Sequence, residues 1–202
     1  MIDDPTRRFF LKLFGGAPLA LVIGSGAASA NAAAEAYVER IGKDVLALAN
    51  GGLRGKSLRG RFANLLGRYV NLRGIAASSL GTYRSKMPAG DKDKFNQLVT
   101  TYAAALFVFY VEKFQGSDFE VANVTTQGSF TVVKSRIVRS SGGSEQMVFY
   151  LAGKGGSYQV VDLSILGVRL SIAMRDAFSR ELKKSKGDFE SLYGFLREAE
   201  TW

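Results

Sequence analysis

Two hydrophobic rhythms divide the chain. Apolar residues first recur at three- and four-residue spacing. Tyr37, Ile41, Val45 and Leu48 mark a helix that stops at Asn50-Gly51. After the connection "NGGLRGKSLRG", Phe62, Leu65, Leu66 and Tyr69 mark a second helix, with Ser57 as its expected cap. A third helical piece covers "GIAASSLGTYRSKM". Pro88-Ala89-Gly90 breaks the chain, and Asp91 is placed to open a long helix over residues 91–115. That helix carries two stripes. Phe95, Leu98, Val99, Tyr102, Leu106 and Phe109 form one; Phe107, Tyr110, Val111 and Phe114 form the other. No charge interrupts Tyr102–Val111, so the segment is expected to be covered on several sides.

After Gly116 the rhythm shortens to that of strands. "DFEVANVTTQ", "SFTVVKSRIVRS", "EQMVFYLAG" and "SYQVVDLSI" are separated by Gly-rich turns, which predicts four strands joined as antiparallel hairpins. Helical spacing returns with Leu170, Met174, Phe178 and Leu182. After Lys186-Gly187, a last helix opens at Asp188 with Phe189, Leu192, Phe195 and Leu196. Helices, then strands, then helices predict an α+β domain: helices packed on a curved four-stranded antiparallel sheet, a cone-like pair of layers. Such a shape is either filled by its own side chains or left open as an internal apolar pocket. The 22 Phe and Tyr residues gather in 95–114 and in the strands.

Composition narrows the chemistry. The chain has 202 residues, 47% of them hydrophobic and 22% charged, enough for one domain with a real core. It contains no Cys, which excludes disulfides, zinc–thiolate sites and thiol nucleophiles. It contains no His, the commonest general base and metal ligand. "NGGLRGKS" tempts as a phosphate loop, but Asn50 stands where that pattern needs Gly, and the stretch follows a helix instead of a strand. Asp162, flanked by Val160, Val161 and Leu163, suits a tuned acid or base, and Tyr150 is the alternative candidate for that role. It equally suits a partner for Arg169 or Arg175, or an acceptor of backbone N–H groups at a sheet end. Without an imidazole the structural role is favoured. No cofactor or metal is expected.

The N-terminus reads as an export signal. Thr6-Arg7-Arg8-Phe9-Phe10-Leu11-Lys12 fits the twin-arginine pattern, with Arg7 and Arg8 as its paired cations. An uncharged run follows from Leu13 to Ala30, with small residues at Ala28-Ser29-Ala30 and Ala30-Asn31-Ala32 suited to cleavage. Residues 1–34 are expected to be removed, leaving residues 35–202 as a single domain. They hold three basic and two acidic side chains, so the net charge of +9 would fall to +8. In an exported protein, that charge points to anionic lipid headgroups or acidic protein surfaces ahead of nucleic acid.

Three segments, "GIAASSLGTYRSKMPAGDKDKFNQLVTTYAAALFVFYVEKF", "FTVVKSRIV" and "SYQVVDLSILGVRLSIAMRDAFSREL", resemble the MlaC family, also called the toluene-tolerance auxiliary family. The markers are Leu80-Gly81-x-Tyr83, the helix centred on Phe95, the strand reaching Asp162, and the Gly167-Val168-x-Leu170 joint before a helix with Arg175 and Phe178. The likeness spans roughly residues 35–199; Tyr158 stands where the family usually has Trp, and residues 50–72 fit less closely. The resemblance implies a monomeric periplasmic phospholipid carrier and not an enzyme. Its relatives hold acyl chains between sheet and helices. They exchange lipid with an inner-membrane ABC transporter complex and an outer-membrane lipoprotein complex. A branch carrying hopanoid-type lipids, and a non-lipid cell-envelope adaptor, remain as alternatives. Candidate pocket residues are Tyr83, Phe107, Tyr110, Val111, Phe130, Val132, Phe149, Leu151, Val161, Leu163 and Val168. In the strand 157–165, strict alternation would turn Val161, Leu163 and Ile165 toward the pocket and Tyr158, Val160 and Asp162 away.

Overall fold

The structure is a computed structural model, and it describes residues 25–116, 118–140, 142–154 and 157–201. Arg7, Arg8 and the rest of the twin-arginine pattern lie outside the described residues. Helix α1 (Ser25–Asn50) runs through the expected boundary at residues 34 and 35; Ala34 is fully buried. Helix α2 is Gly55–Tyr69. It begins two residues before Ser57, and its flanking residue Arg54 makes no side-chain cap. Helix α3 (Leu72–Ser79) is capped by Asn71, whose side chain accepts from the Gly74 amide. The third helical piece is split: at Gly81 the backbone turns left-handed (φ 54°), and a 3-10 segment Gly81–Lys86 follows.

Helix α4 (Lys92–Phe109) is shorter than the stripes predict. The chain leaves α-geometry at Tyr110 and tightens into a 3-10 turn, Val111–Phe114. Asp91 precedes α4 but does not cap it; its carboxylate accepts the Tyr193 hydroxyl at 3.0 Å. Helices α5 (Leu170–Lys184) and α6 (Phe189–Glu198) close the chain, and Asp188 caps α6 by accepting from the Glu190 and Ser191 amides.

The sheet is an antiparallel meander in sequence order: β1 (Asp118–Gln127), β2 (Phe130–Val138), β3 (Ser144–Lys154), β4 (Ser157–Ile165) and β5 (Val168–Arg169). It has five strands where the sequence suggests four. The extra one is only two residues long, too short to leave a periodic signature, and forms because Leu166 (φ 54°) and Gly167 (φ 82°) fold the chain back on β4. The β4 edge is covered at Val160 as well. Val70 bridges Val160, and the Asn71 amide donates to the Val160 carbonyl at 2.8 Å.

The inner face of the sheet carries Val133, Ile137, Met147, Phe149, Leu151 and Val160, all buried against the helical layer. Helix α1 lies close on β1. A Cβ built on Gly42 would fall 2.2 Å from the Phe119 ring, so only glycine admits this approach.

Candidate functional site

Between the sheet and the helices lies a cavity of about 460 Å³. Helix α4 faces it with Tyr102, Ala103, Leu106 and Phe107, drawn from both of its apolar stripes, and Tyr110 follows at its C-terminal cap. Across from them stand Met147 and Phe149 of β3 and Val160, Leu163 and Ile165 of β4. Helices α1, α2 and α5 close the remaining sides with residues such as Val45, Phe62, Leu65 and Met174. Among the described residues that line it, the side-chain oxygens are those of Tyr102 and Tyr110; every other lining side chain is aliphatic, aromatic or thioether.

The cavity has a wet end and a dry end. Tyr110, Leu166 and Val168 line it and are each more than half exposed, so they stand at its mouth. Phe62, Phe107 and Phe114 line it and are almost wholly buried. Their rings stack in series, Phe62 on Phe107 at 3.5 Å and Phe107 on Phe114 at 4.8 Å between centroids, tying α2, α4 and the 3-10 turn together.

A β-bulge decides which residues of β4 face the cavity. Tyr150 pairs with Asp162 and Leu151 with Val160, leaving Val161 as the extra residue. The bulge resets the alternation. Val160 before it and Leu163 and Ile165 after it share the inner face, while Val161 and Asp162 border a separate groove with Tyr150 and Phe130.

Asp162 is 5% exposed and holds this corner together. It accepts the Leu163 amide at 2.9 Å, the Ser171 amide at 3.2 Å and the Ser171 hydroxyl at 2.6 Å. It pairs with Arg169 at 2.9 Å, and that guanidinium also lies 4.1 Å over the Tyr150 ring. Asp162 therefore meets Arg169 and backbone donors together, two of the roles its sequence position suggests. Through Ser171 it caps the N-terminus of α5, which has no cap from its own flanking residue. The pair Val168–Arg169 joins the two sites: Val168 lines the mouth, and Arg169 is held in the groove behind it.

Of the eleven candidates, Phe107, Tyr110, Phe149, Leu163 and Val168 line the cavity. Leu151 is on the inner face but is sealed in the core beyond the cavity. Val111 is buried in the 3-10 turn after α4 without lining it. Val132 pairs with Tyr150 and is on the outer face, and Phe130 and Val161 border the outer groove. Tyr83 is half-buried in the 3-10 segment after α3, with the Lys86 ammonium 5.5 Å from its ring centroid. The α1 and α2 contributions, Ile41, Val45, Phe62, Leu65 and Leu66, are visible as helical stripes in the sequence. Nothing in a stripe separates a residue facing a void from one facing a neighbour.

An antiparallel meander roofed by helices over an apolar cavity defines an α+β protein built around enclosed apolar space. The sequence matches the family described as MlaC protein over residues 43–198, and the chain belongs to that family. A solved structure with the same fold is the phospholipid-binding protein from Ralstonia solanacearum in complex with a phospholipid. Its TM-score is 0.67 at 17% identity, covering 83% of this chain and 97% of that one. No curated protein matches the chain.

Proposed function

We propose that this protein is an exported carrier that holds the acyl chains of a phospholipid in its cavity. The observation that carries the reading is the cavity itself: about 460 Å³ lined almost without polar atoms, inside a member of the MlaC family. A methylene is close in size to a water molecule, about 30 Å³. The cavity thus has room for at least on the order of fifteen methylenes, one acyl chain. At about 0.8 kcal/mol per buried CH₂, that chain gains roughly 12 kcal/mol over exposure to water, before the cost of immobilising it. Retention on that scale needs no catalytic group. It also makes unassisted escape slow, so loading and unloading fall to membrane partners.

In this reading the chain works in the periplasm. It exchanges lipid with an inner-membrane ABC transporter complex and an outer-membrane lipoprotein complex. Residues 1–34 deliver it there and are removed. Family membership and the twin-arginine pattern support this setting, and no helix among the described residues is long and apolar enough to cross a membrane.

The test is mass spectrometry of organic extracts from the purified protein, paired with uptake of fluorescent phospholipid from liposomes. Near-stoichiometric phospholipid is expected. A protein that carries no lipid and takes none up would overturn the proposal.

A further inference from the structure

The cavity wall offers an incoming molecule very little to hydrogen-bond with, and what it offers is at one place. Tyr110 caps the C-terminus of α4 at the mouth, 51% exposed, its ring edge-on to Phe109 with centroids 4.9 Å apart. Its hydroxyl makes no hydrogen bond with any described residue. The other lining residues with clear exposure, Leu166, Val168 and Ala173, and the half-buried Leu170 carry no side-chain donor. The second phenol in the wall, Tyr102, is farther from solvent. Burial is the main cause pushing its pKa up; the Arg180 guanidinium opposes the shift, and the charge that Tyr110 would carry adds a smaller part, so both groups belong to the neighbourhood of Tyr102.

An amphiphile whose chains fill the dry end must leave the junction between chains and headgroup at the mouth. In a diacyl phospholipid that junction carries two ester carbonyls, which are acceptors with no donor of their own. A carbonyl drawn against an apolar rim loses water and needs a donor in exchange. We propose that Tyr110 reads this junction: its hydroxyl donates a hydrogen bond to an ester carbonyl of the bound lipid, so the site prefers ester-linked to ether-linked chains. The assignment rests on the carrier reading and names the chemical feature of the cargo that the mouth recognises.

The experiment compares two phosphatidylcholines of equal chain length, one diester and one dialkyl ether. Each is offered in competition to delipidated wild-type protein and to Tyr110→Phe. One net hydrogen bond corresponds to a preference of about fivefold. Wild type is expected to retain the diester over the diether by that factor. Tyr110→Phe should show no preference between the two lipids and melt at the wild-type temperature. Equal retention of both lipids by wild type, or an undiminished preference in Tyr110→Phe, overturns the role of Tyr110 and leaves lipid carriage standing. A wild-type protein that retains neither lipid overturns the carrier reading, and this assignment with it.

Discussion

Replacing Asp162 tests how the cavity mouth is held. Asp162→Ala removes the acceptor for the Leu163 amide, for both donors of Ser171 and for Arg169. The Arg169 side chain is 41% exposed, so water takes over its solvation and its ion pair adds little. The loss is concentrated in the two amides and the hydroxyl left around a 5%-exposed site. At about 1 kcal/mol for each orphaned donor, the total is about 3 kcal/mol. For a domain of this size that lowers the melting temperature by about 6–12 °C. Asp162→Asn keeps one acceptor oxygen and should lose roughly half as much.

The same cluster fixes Ser171 at the start of α5 and Arg169 next to Val168, so loosening it frees one wall of the mouth. Transfer of fluorescent phospholipid to acceptor vesicles should therefore speed up in both variants. Circular dichroism melts and vesicle transfer at 25 °C are the assays. An Asp162→Ala protein that melts within about 2 °C of wild type and transfers lipid at the same rate would refute the reasoning.

Leu163→Trp should lower lipid loading by at least half, whereas Val161→Trp should leave it unchanged; extraction and quantitation decide, and equal losses would mean the bulge does not set the inner face. Gly42→Ala should lower the melting temperature despite the better helix propensity of Ala: the new methyl meets the Phe119 ring, at about 1–3 kcal/mol for overpacking. Tyr193 has its pKa raised, first by burial and then by its hydrogen bond to the Asp91 carboxylate. The unfolded chain therefore ionises first, so this stabilisation is complete below the ordinary tyrosine range near 10 and is lost as pH rises through the higher folded value. Wild type should lose stability above about pH 10, and Tyr193→Phe should flatten that decline in melts taken from pH 8 to 11.

Periodicity identified the helices and the four long strands because each buries one stripe or one face, and burial writes itself into spacing. It placed β2, β3 and β4 within a residue or two. It failed where geometry departs from a repeat. Val161 adds one residue to β4, and a strict two-residue rhythm then assigns Tyr158, Val160 and Val161 to the wrong sides while leaving Leu163 and Ile165 on the right one; Tyr158 shares the inner face with Val160, its ring against Tyr37 and its hydroxyl donating to the Ala30 carbonyl of α1. β5 is too short to have a rhythm at all. On α4 the two stripes run continuously through Tyr110, yet the backbone tightens there; a 3-10 turn keeps similar apolar residues and is silent in their spacing. The cavity was legible only as an excess of large apolar side chains. A void is a property of how several faces fail to meet, and no one face records it.

The sheet divides its labour unevenly. None of the described residues lining the cavity comes from β1 or β2; that hairpin backs the wall without forming it. Its tip, Gln127–Phe130, turns through Gly128 (φ 59°), and all four residues are exposed. Natural variation and laboratory insertion have the same freedom there, since added chain would extend into solvent without disturbing a cavity-facing side chain. An affinity tag or a fluorophore-bearing loop placed at this tip would report on the protein while leaving its cargo space intact, and the chain's lack of cysteine makes a single introduced thiol there uniquely addressable.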